Sequence, residues 1–433
     1  MSPEGAFGLD FGTTNSAIAR VGRDGTPELA HFLSPDGSVP TFRSLLYFDR
    51  EDELAPVDIH SGPSALIHYL EREEHGGRLV QSLKSFLATR LFTGTQIYGR
   101  MWRLEQLIGQ LVGDLREQAE RDFGEPVHRA VVGRPVHFVG ADTAEAENLA
   151  ETRLRAALTN AGFRSVEFEY EPVGAAYHYE SDLDHDELIL IADFGGGTSD
   201  FSLLRVGPSY RGGARAGSIL GHDGVGVAGD AFDGRIVRHR VTPLLGRGSE
   251  FESIYGRRLP VPAWIYQHLE RWHHVSFLKS RKTMQLLLDL RRDALEPEKL
   301  DALLRVVEHD LGFALYRATE STKRTLSEAE EARFHLVHDE IEIDERVTRS
   351  EFEDWIAEEL GEVRACIDRL FRTTETEPEA IDRVFLTGGS SFVPAVRRIF
   401  EERFGEARIR TGAELTSIAN GLALRAAESP GER

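Results

Sequence analysis

Two segments of this chain set an aspartate beside glycines and hydroxyl side chains, Asp10-Phe11-Gly12-Thr13-Thr14-Asn15 and Asp193-Phe194-Gly195-Gly196-Gly197-Thr198-Ser199-Asp200. A third, Thr387-Gly388-Gly389-Ser390-Ser391, repeats the glycine and hydroxyl chemistry near the other end. Glycine lets a backbone approach a ligand closely and adopt positive φ, so that successive N–H groups converge on phosphate oxygens. The threonine hydroxyls add donors. Asp10 and Asp193 each close an apolar run, which puts them at strand ends facing one another across a cleft. Carboxylates beside a phosphate chain need a cation between them, and Mg2+ suits because it keeps several waters and binds through one or two carboxylates plus phosphate. One Gly-Thr turn is ordinary hairpin chemistry. Three such segments in this order predict a nucleotide site in a two-lobed ATPase. No Gly-x-x-x-x-Gly-Lys-Ser/Thr segment occurs, so a P-loop arrangement is excluded.

The elements that would position these residues follow from hydrophobic pattern. Strands are expected at about 6–10, 16–21 and 45–48, a helix at 102–122, and a buried strand at Ala130–Val136. Asp142 is expected to cap a helix carrying Leu149, Leu154, Leu158 and Ala161 and stopped by Gly162. Leu188–Ala192 is continuous enough for a strand buried on both faces, answered by Phe201–Leu204 as the other arm of a hairpin. Leu300, Leu303, Leu304, Val307 and Leu311 form a helical stripe expected to run on into Glu320–Arg324. Thr348-Arg349-Ser350-Glu351 fits a capping box before a helix carrying Phe352, Trp355, Ile356, Leu360, Val363, Ile367 and Leu370. Arg383–Thr387 reads as a strand feeding the third glycine segment, and Pro394 opens a helix that Gly405 closes. The likeness of the segments at Asp10 and Asp193 implies two copies of one lobe, each giving a phosphate loop to a shared cleft.

With 433 residues the chain is long enough for two or three domains. Its 51 basic and 72 acidic residues give a net charge of −21, which argues against a general nucleic-acid or anionic-membrane surface. A soluble monomer is expected. Cys366 is the only cysteine, so no intrachain disulfide forms. No signal-peptide pattern and no apolar run of membrane-spanning length is present, and a cytoplasmic location is expected.

Taken together, these segments resemble the actin-type ATPase fold in its DnaK-type heat-shock chaperone form, nearest in style to the short, YegD-like branch without a peptide-binding domain. The resemblance runs over about residues 5–427. It implies an α/β, two-lobed actin-like ATPase fold with duplicated ribonuclease H-like lobes and an enlarged helical insertion in the second. The lobes would span 1–186 and 187–427, with the insertion at about 235–318 and a tail at 428–433. ATP or ADP and Mg2+ are the implied ligands. Gly12, Thr13, Thr14 and Asn15 match the family's first phosphate loop, with Asp10 on the Mg2+ shell. Gly195, Gly196, Gly197 and Thr198 match the second, with Asp193 on the cation or the attacking water and Asp200 among the catalytic groups. Glu171, in Glu171-Pro172-Val173-Gly174-Ala175-Ala176, resembles the family's connecting segment and would orient water and signal between lobes. Lys84 falls where the family places the lysine that neutralises the β- and γ-phosphates; the motif around it is weak, and a solvated surface lysine is the rival reading. Glu320, Lys323, Arg324 and Ser327 fit one side of the adenosine site, Gly388, Gly389 and Ser390 the other, and Gly229 is a further expected nucleotide-binding residue.

The departures from that pattern bear on biology. After Leu424 only nine residues follow, so the apolar linker and β-rich peptide-binding domain of a full chaperone are expected to be missing, and action through partner or client proteins is expected instead. The stretch from Asp230 to Glu320 is longer than the resemblance implies. It holds Trp264, Tyr266, Trp272 and Phe277 among Arg257, Arg258, Lys279, Arg281 and Lys282. Extra helices packing their own aromatics, or a docking surface for an acidic partner, would both account for it. His273, His274, His335 and His338 show no acidic or thiol neighbours at ligand spacing and read as surface or packing residues; Cys366 reads as a buried filler, and Glu328–Glu331 as a solvated helix end. Two further classes stay open: a nucleotide-bound scaffold or actin-like filament protein, and a small-molecule kinase of the same superfamily. The Glu320–Arg324 helix speaks against the kinase.

Overall fold

The computed structural model describes residues 5–34, 37–52, 55–71, 77–180, 183–210, 218–253, 255–309, 311–338, 341–411 and 417–428. By compactness the chain divides into two units. The first comprises Met1–Gly226, Val363–Ser391 and Arg398–Arg433, and the second Val227–Glu362 and Phe392–Arg397.

Two sheets of one design organise the first unit. In one, Ala6–Phe11 pairs antiparallel with Asn15–Val21, which pairs antiparallel with Pro27–Leu29. On its other edge Ala6–Phe11 runs parallel to Arg129–Arg134, and that strand parallel to Ser165–Tyr170. In the other sheet Glu187–Phe194 takes the central place. It pairs antiparallel with Ser199–Val206, followed by Ile219–Val225, and parallel with Arg383–Thr387, followed by Ile409–Thr411. The same order of three antiparallel and two parallel strands occurs twice, which is the duplication expected from the two Asp-Gly-Thr segments. This is the duplicated α/β architecture that the sequence implies.

Each central strand is buried on both faces, as a strand between layers must be. Leu9, Ile18, Leu46, Leu107, Leu111, Val132 and Leu158 belong to one core around the first sheet. A second core joins the sheets through two helices, Glu171–Glu180 and Ser417–Glu428: Val131 from one sheet, Ile189, Ile191 and Leu204 from the other, and Val173, Ala176, Ile418, Leu422 and Ala426 between them. Gly8 makes this packing possible, since a Cβ there would lie 2.2 Å from the Ala423 nitrogen.

Most expected elements form at or near their predicted ends, with three differences. Thr143, not Asp142, caps Ala144–Asn160, its hydroxyl accepting from the Ala146 amide. The stripe from Leu300 does not run on into Glu320; Pro297–Glu308 stops, and a separate helix, Gly312–Glu328, begins after Leu311, whose amide reaches back five residues to Val306. The capping box at Thr348 forms, but its helix divides into Arg349–Trp355 and Ala357–Thr373 at Ile356, where ψ opens to 8°. Hydrogen bonds from Ile356 to Phe352 and from Leu360 to Ile356 carry the ladder through that bend.

The second unit holds Gly229–Ile236, the hairpin Glu250–Glu252 with Arg258–Pro260, the helices Ala263–Glu270, Arg281–Asp293, Pro297–Glu308 and Gly312–Glu328, and the hairpin Glu331–His338 with Ile341–Thr348. Among the described residues no helix is long and apolar enough to cross a membrane.

Candidate functional site

Both phosphate-sized turns form as hairpin tips in the first unit. Phe11 pairs with Ser16 across the first, so Gly12–Asn15 makes the turn. Phe194 pairs with Ser199 across the second, and the Gly195 amide donates to the Thr198 carbonyl at 3.0 Å. The residues of both tips are partly exposed, while Asp193 and Asp200 behind the second tip are buried and form a cross-strand pair. Gly197 has little room for a side chain: a Cβ there would meet Val139 at 2.8 Å and Ser85 at 3.8 Å.

Lys84 is not a surface lysine. It lies in a short 3-10 turn, Leu83–Phe86, entered through Ser82, a buried residue at φ 52° and ψ 32°. A non-glycine residue in the left-handed region costs on the order of 1–3 kcal/mol and persists where surrounding structure imposes it. Here it turns the Lys84 side chain inward, where its Nζ donates to Glu171 Oε1 at 2.6 Å, both groups being almost fully buried. Glu171 reaches that position because Ser165–Tyr170 ends and Glu171–Glu180 begins at this residue.

The electrostatics follow from four carboxylates around one ammonium. Burial, then the charge of Glu171, hold Asp10 well above the ordinary carboxylate range, although Lys84 opposes this. Burial and Glu171 push Asp193 up to about 6, against a hydroxyl bond from Thr387. Burial, Glu171 and Asp193 push Asp200 up to about 8. Burial works against the Lys84 charge, but the carboxylates of Glu171 and Asp10 outweigh it and raise its pKa. Excess negative charge in a shielded pocket is what a divalent cation relieves, and hard carboxylate oxygens are the ligands Mg2+ takes. The residues present therefore fit that ion.

Three hydrogen bonds at this site were not read from the sequence. Thr387 Oγ1 donates to Asp193 Oδ1 at 2.7 Å and holds one carboxylate oxygen in place. The parallel pairing of Asp193 with Thr387 aligns them; the cue in the sequence is only that Thr387 precedes Gly388 at a strand end. Asp200 Oδ1 accepts the Val136 amide at 3.0 Å and the His137 amide at 3.4 Å, so this aspartate ties the second hairpin to the end of Arg129–Arg134. Gly388, at φ 80°, brings the third glycine segment against the second loop, where a Cβ would lie 2.1 Å from the Phe194 carbonyl oxygen. Ser390, two residues on, is buried.

The other predicted nucleotide-binding residues belong to the second unit. Gly229 opens the helix Gly229–Ile236, and Glu320, Lys323, Arg324 and Ser327 lie on Gly312–Glu328. Lys323 Nζ pairs with the buried Asp233 at 2.8 Å. Burial and Asp233 push the neighbouring Asp230 up to about 7. Arg324 is exposed, and the Ser327 hydroxyl donates to the Lys323 carbonyl.

Of the residues read as ordinary, Cys366 is buried, and that burial raises its thiol to about 12. The expected helix end at Glu328–Glu331 is shorter, the helix stopping at Glu328: Glu330 lies past it and Glu331 opens the strand Glu331–His338, both exposed and paired with Arg349 and Arg346. His335 does acquire acidic neighbours: the hairpin brings Glu342 and Asp344 beside it across the strands, a proximity that linear spacing does not reveal. All three are exposed, and Arg333 already takes both oxygens of Asp344.

The family model described as Hsp70 protein matches residues 84–246 and 309–432. The chain is 26% identical over 430 residues to the chaperone protein DnaK of Thermosipho africanus, covering 99% of this chain and 60% of that one. It is 25% identical to the DnaK of Thermotoga maritima, over 98% and 59%, and 24% identical to that of Thermus thermophilus, over 99% and 61%. The chain thus spans about three fifths of the length of these relatives.

Proposed function

From the premise that this chain belongs to the Hsp70 family, we propose that it is a Mg2+-dependent ATP hydrolase that works as a switch on partner proteins. The observation that carries this reading is the buried Lys84–Glu171 pair among Asp10, Asp193 and Asp200, behind two glycine hairpin tips. A structural ion pair alone would not need three further carboxylates around it, because each raises the cost of the others' charges.

In this reading the amides of Gly12–Thr14 and Gly195–Thr198 hold the phosphate chain, and the hydroxyls of Thr13, Thr14 and Thr198 add donors. Asp10 and Asp193 would hold Mg2+, which when bound supplies charge neutralisation at the phosphoryl oxygens. Lys84 brings its ammonium to the transferring phosphoryl group, and Glu171 orients the water that attacks the γ-phosphorus in line. The water oxygen bonds to phosphorus as the bond to the β–γ bridging oxygen breaks. Thr387 keeps Asp193 in one orientation throughout. Glu320, Lys323, Arg324 and Ser327 are assigned to adenosine, as are Gly388, Gly389 and Ser390, and Gly229 to the nucleotide. Turnover is slow, since the nucleotide chiefly selects between conformations.

The test is phosphate release with Mg2+ and ATP, beside nucleotide affinity by calorimetry, for the parent and Asp193→Asn. Turnover that falls at least tenfold in the variant while binding persists supports the assignment. Tight binding with no turnover in either protein replaces it with a nucleotide-held scaffold.

A further inference from the structure

The family match stops at Gly246 and resumes at His309, so residues 247–308 lie outside it. We propose that the face built by residues 255–288 within this segment is a docking surface for a short acidic segment of another protein, anchored by an apolar side chain.

The segment has a core of its own. Val261, Ile265, Tyr266, Leu269, Val275, Leu278, Leu287 and Leu290 are buried, and the Tyr266 hydroxyl donates to the Leu245 carbonyl at 3.1 Å. Self-packing therefore accounts for Tyr266; the Trp272 side chain lies outside the described residues. It does not account for Trp264 and Phe277, which are 40% and 38% exposed. Tyr255, Leu259 and Leu288, also exposed, fall in the same stretch.

Trp264 and Phe277 are parts of one patch. Trp264 meets His268 edge-on at 5.9 Å between ring centres, His268 meets Phe277 at 6.4 Å, and His274 meets Phe277 at 5.3 Å. The imidazoles thus bridge the helix Ala263–Glu270 to the turn Trp272–Lys279. Burial lowers His274 to about 4 and lowers His268 as well, so the middle of the patch is uncharged at neutral pH.

Its charge complements an acidic occupant. Residues 255–288 include six Lys and Arg against a single acidic residue, Glu270, in a chain of net charge −21. Glu270 is already paired with Arg247 at 2.8 Å. Arg257, Arg281 and Lys282 are exposed and make no ion pair among the described residues, while the exposed Arg258 faces Glu252 across the hairpin. An uncharged aromatic patch in a stretch rich in exposed cations suits a protein partner, and the cations favour an acidic sequence over others. A nucleic acid fits less well. Its affinity comes from many phosphate contacts along a basic track, whereas Asp289, Asp293, Glu296, Glu298 and Asp301 follow this stretch directly.

Selection of a displayed random 12-residue peptide library on the full-length protein tests this without a known partner. Enrichment of peptides rich in Asp and Glu with an aromatic or leucine residue is expected. Their affinity, read by fluorescence anisotropy, should fall at least tenfold in Arg281→Glu/Lys282→Glu and in Trp264→Ser, and fall with added salt. Unchanged thermal melts and nucleotide binding in those variants show that the fold is kept, and neither readout requires ATP hydrolysis. No enrichment, enrichment of neutral or basic peptides, or affinity indifferent to these variants overturns the proposal. So does tighter binding of a single-stranded oligonucleotide through the same residues, or a dimer that Trp264→Ser dissociates.

Discussion

Replacing Lys84 with methionine tests the electrostatic arrangement directly, before any question of catalysis. The substitution keeps the length of the side chain and removes the one ammonium that faces Glu171 at 2.6 Å inside a shielded pocket. Deleting one partner of a buried pair costs about 3–5 kcal/mol, because the other charge is left uncompensated. For a domain of this size that lowers Tm by on the order of 10 °C. The loss should depend on pH in a definite direction. Asp200 and Asp193, raised to about 8 and about 6, take up protons as pH falls, which relieves the repulsion on Glu171. Lys84→Met is therefore expected to be more damaging at pH 8.5 than at pH 5.5. Adding Glu171→Gln removes the stranded charge, so the double variant should be more stable than Lys84→Met alone, a non-additivity of about 1–3 kcal/mol. Thermal and urea melts of the metal-free, nucleotide-free protein provide the numbers. A cost below about 1 kcal/mol, equal at both pH values and additive with Glu171→Gln, would refute the idea that this pair organises the pocket.

Three further outcomes follow from particular contacts. Gly388→Ala, at φ 80° and with its Cβ 2.1 Å from the Phe194 oxygen, should destabilise by on the order of 3 kcal/mol or more, whereas Gly389→Ala, with open space at that position, should melt like the parent. The metal-free protein should lose stability as pH rises from about 4 to about 8: over that range the folded Asp200 carboxyl keeps a proton that the unfolded chain releases. Each such proton contributes a slope of up to about 1.4 kcal/mol per pH unit, and denaturant titrations of Asp200→Asn should show a flatter dependence. Thr387→Val, which deletes the hydroxyl bond to Asp193, should slow ATP turnover by about tenfold, consistent with a charge-assisted bond of about 1.5–3 kcal/mol. Thr387→Ser should restore most of it; equal rates for all three proteins would show that Asp193 needs no such support.

Much of the site was legible because its chemistry is local. A tight hairpin tip with exposed amides needs glycine and hydroxyl side chains within a few consecutive residues, so the tips Gly12–Asn15 and Gly195–Thr198 declare themselves, as do the strands that lead into Asp10 and Asp193. The duplication was readable for the same reason, each copy carrying its own hairpin. Lys84 was harder, since nothing adjacent to it distinguishes a buried, paired lysine from a solvated one. Its setting depends on Ser82 taking a left-handed conformation and on Glu171 arriving from 87 positions away. Thr387, and the Val136 and His137 amides that hold Asp200, were missed because strand register between distant segments creates those contacts. The same holds for His335, whose acidic neighbours lie across a hairpin, and for the helix expected to continue from Leu300 to Glu320, where periodicity alone gives no sign of the stop at Glu308.

Sequence alone determined where glycine and hydroxyl side chains gather at hairpin tips, because backbone conformation and donor chemistry are properties of neighbouring residues. It determined the repeated lobe as well, since hydrophobic period and turn composition are local. Tertiary structure alone decided which charges share a dielectric. Burial turned four carboxylates and one lysine from separate surface groups into a single coupled set, and only folding takes them out of water together.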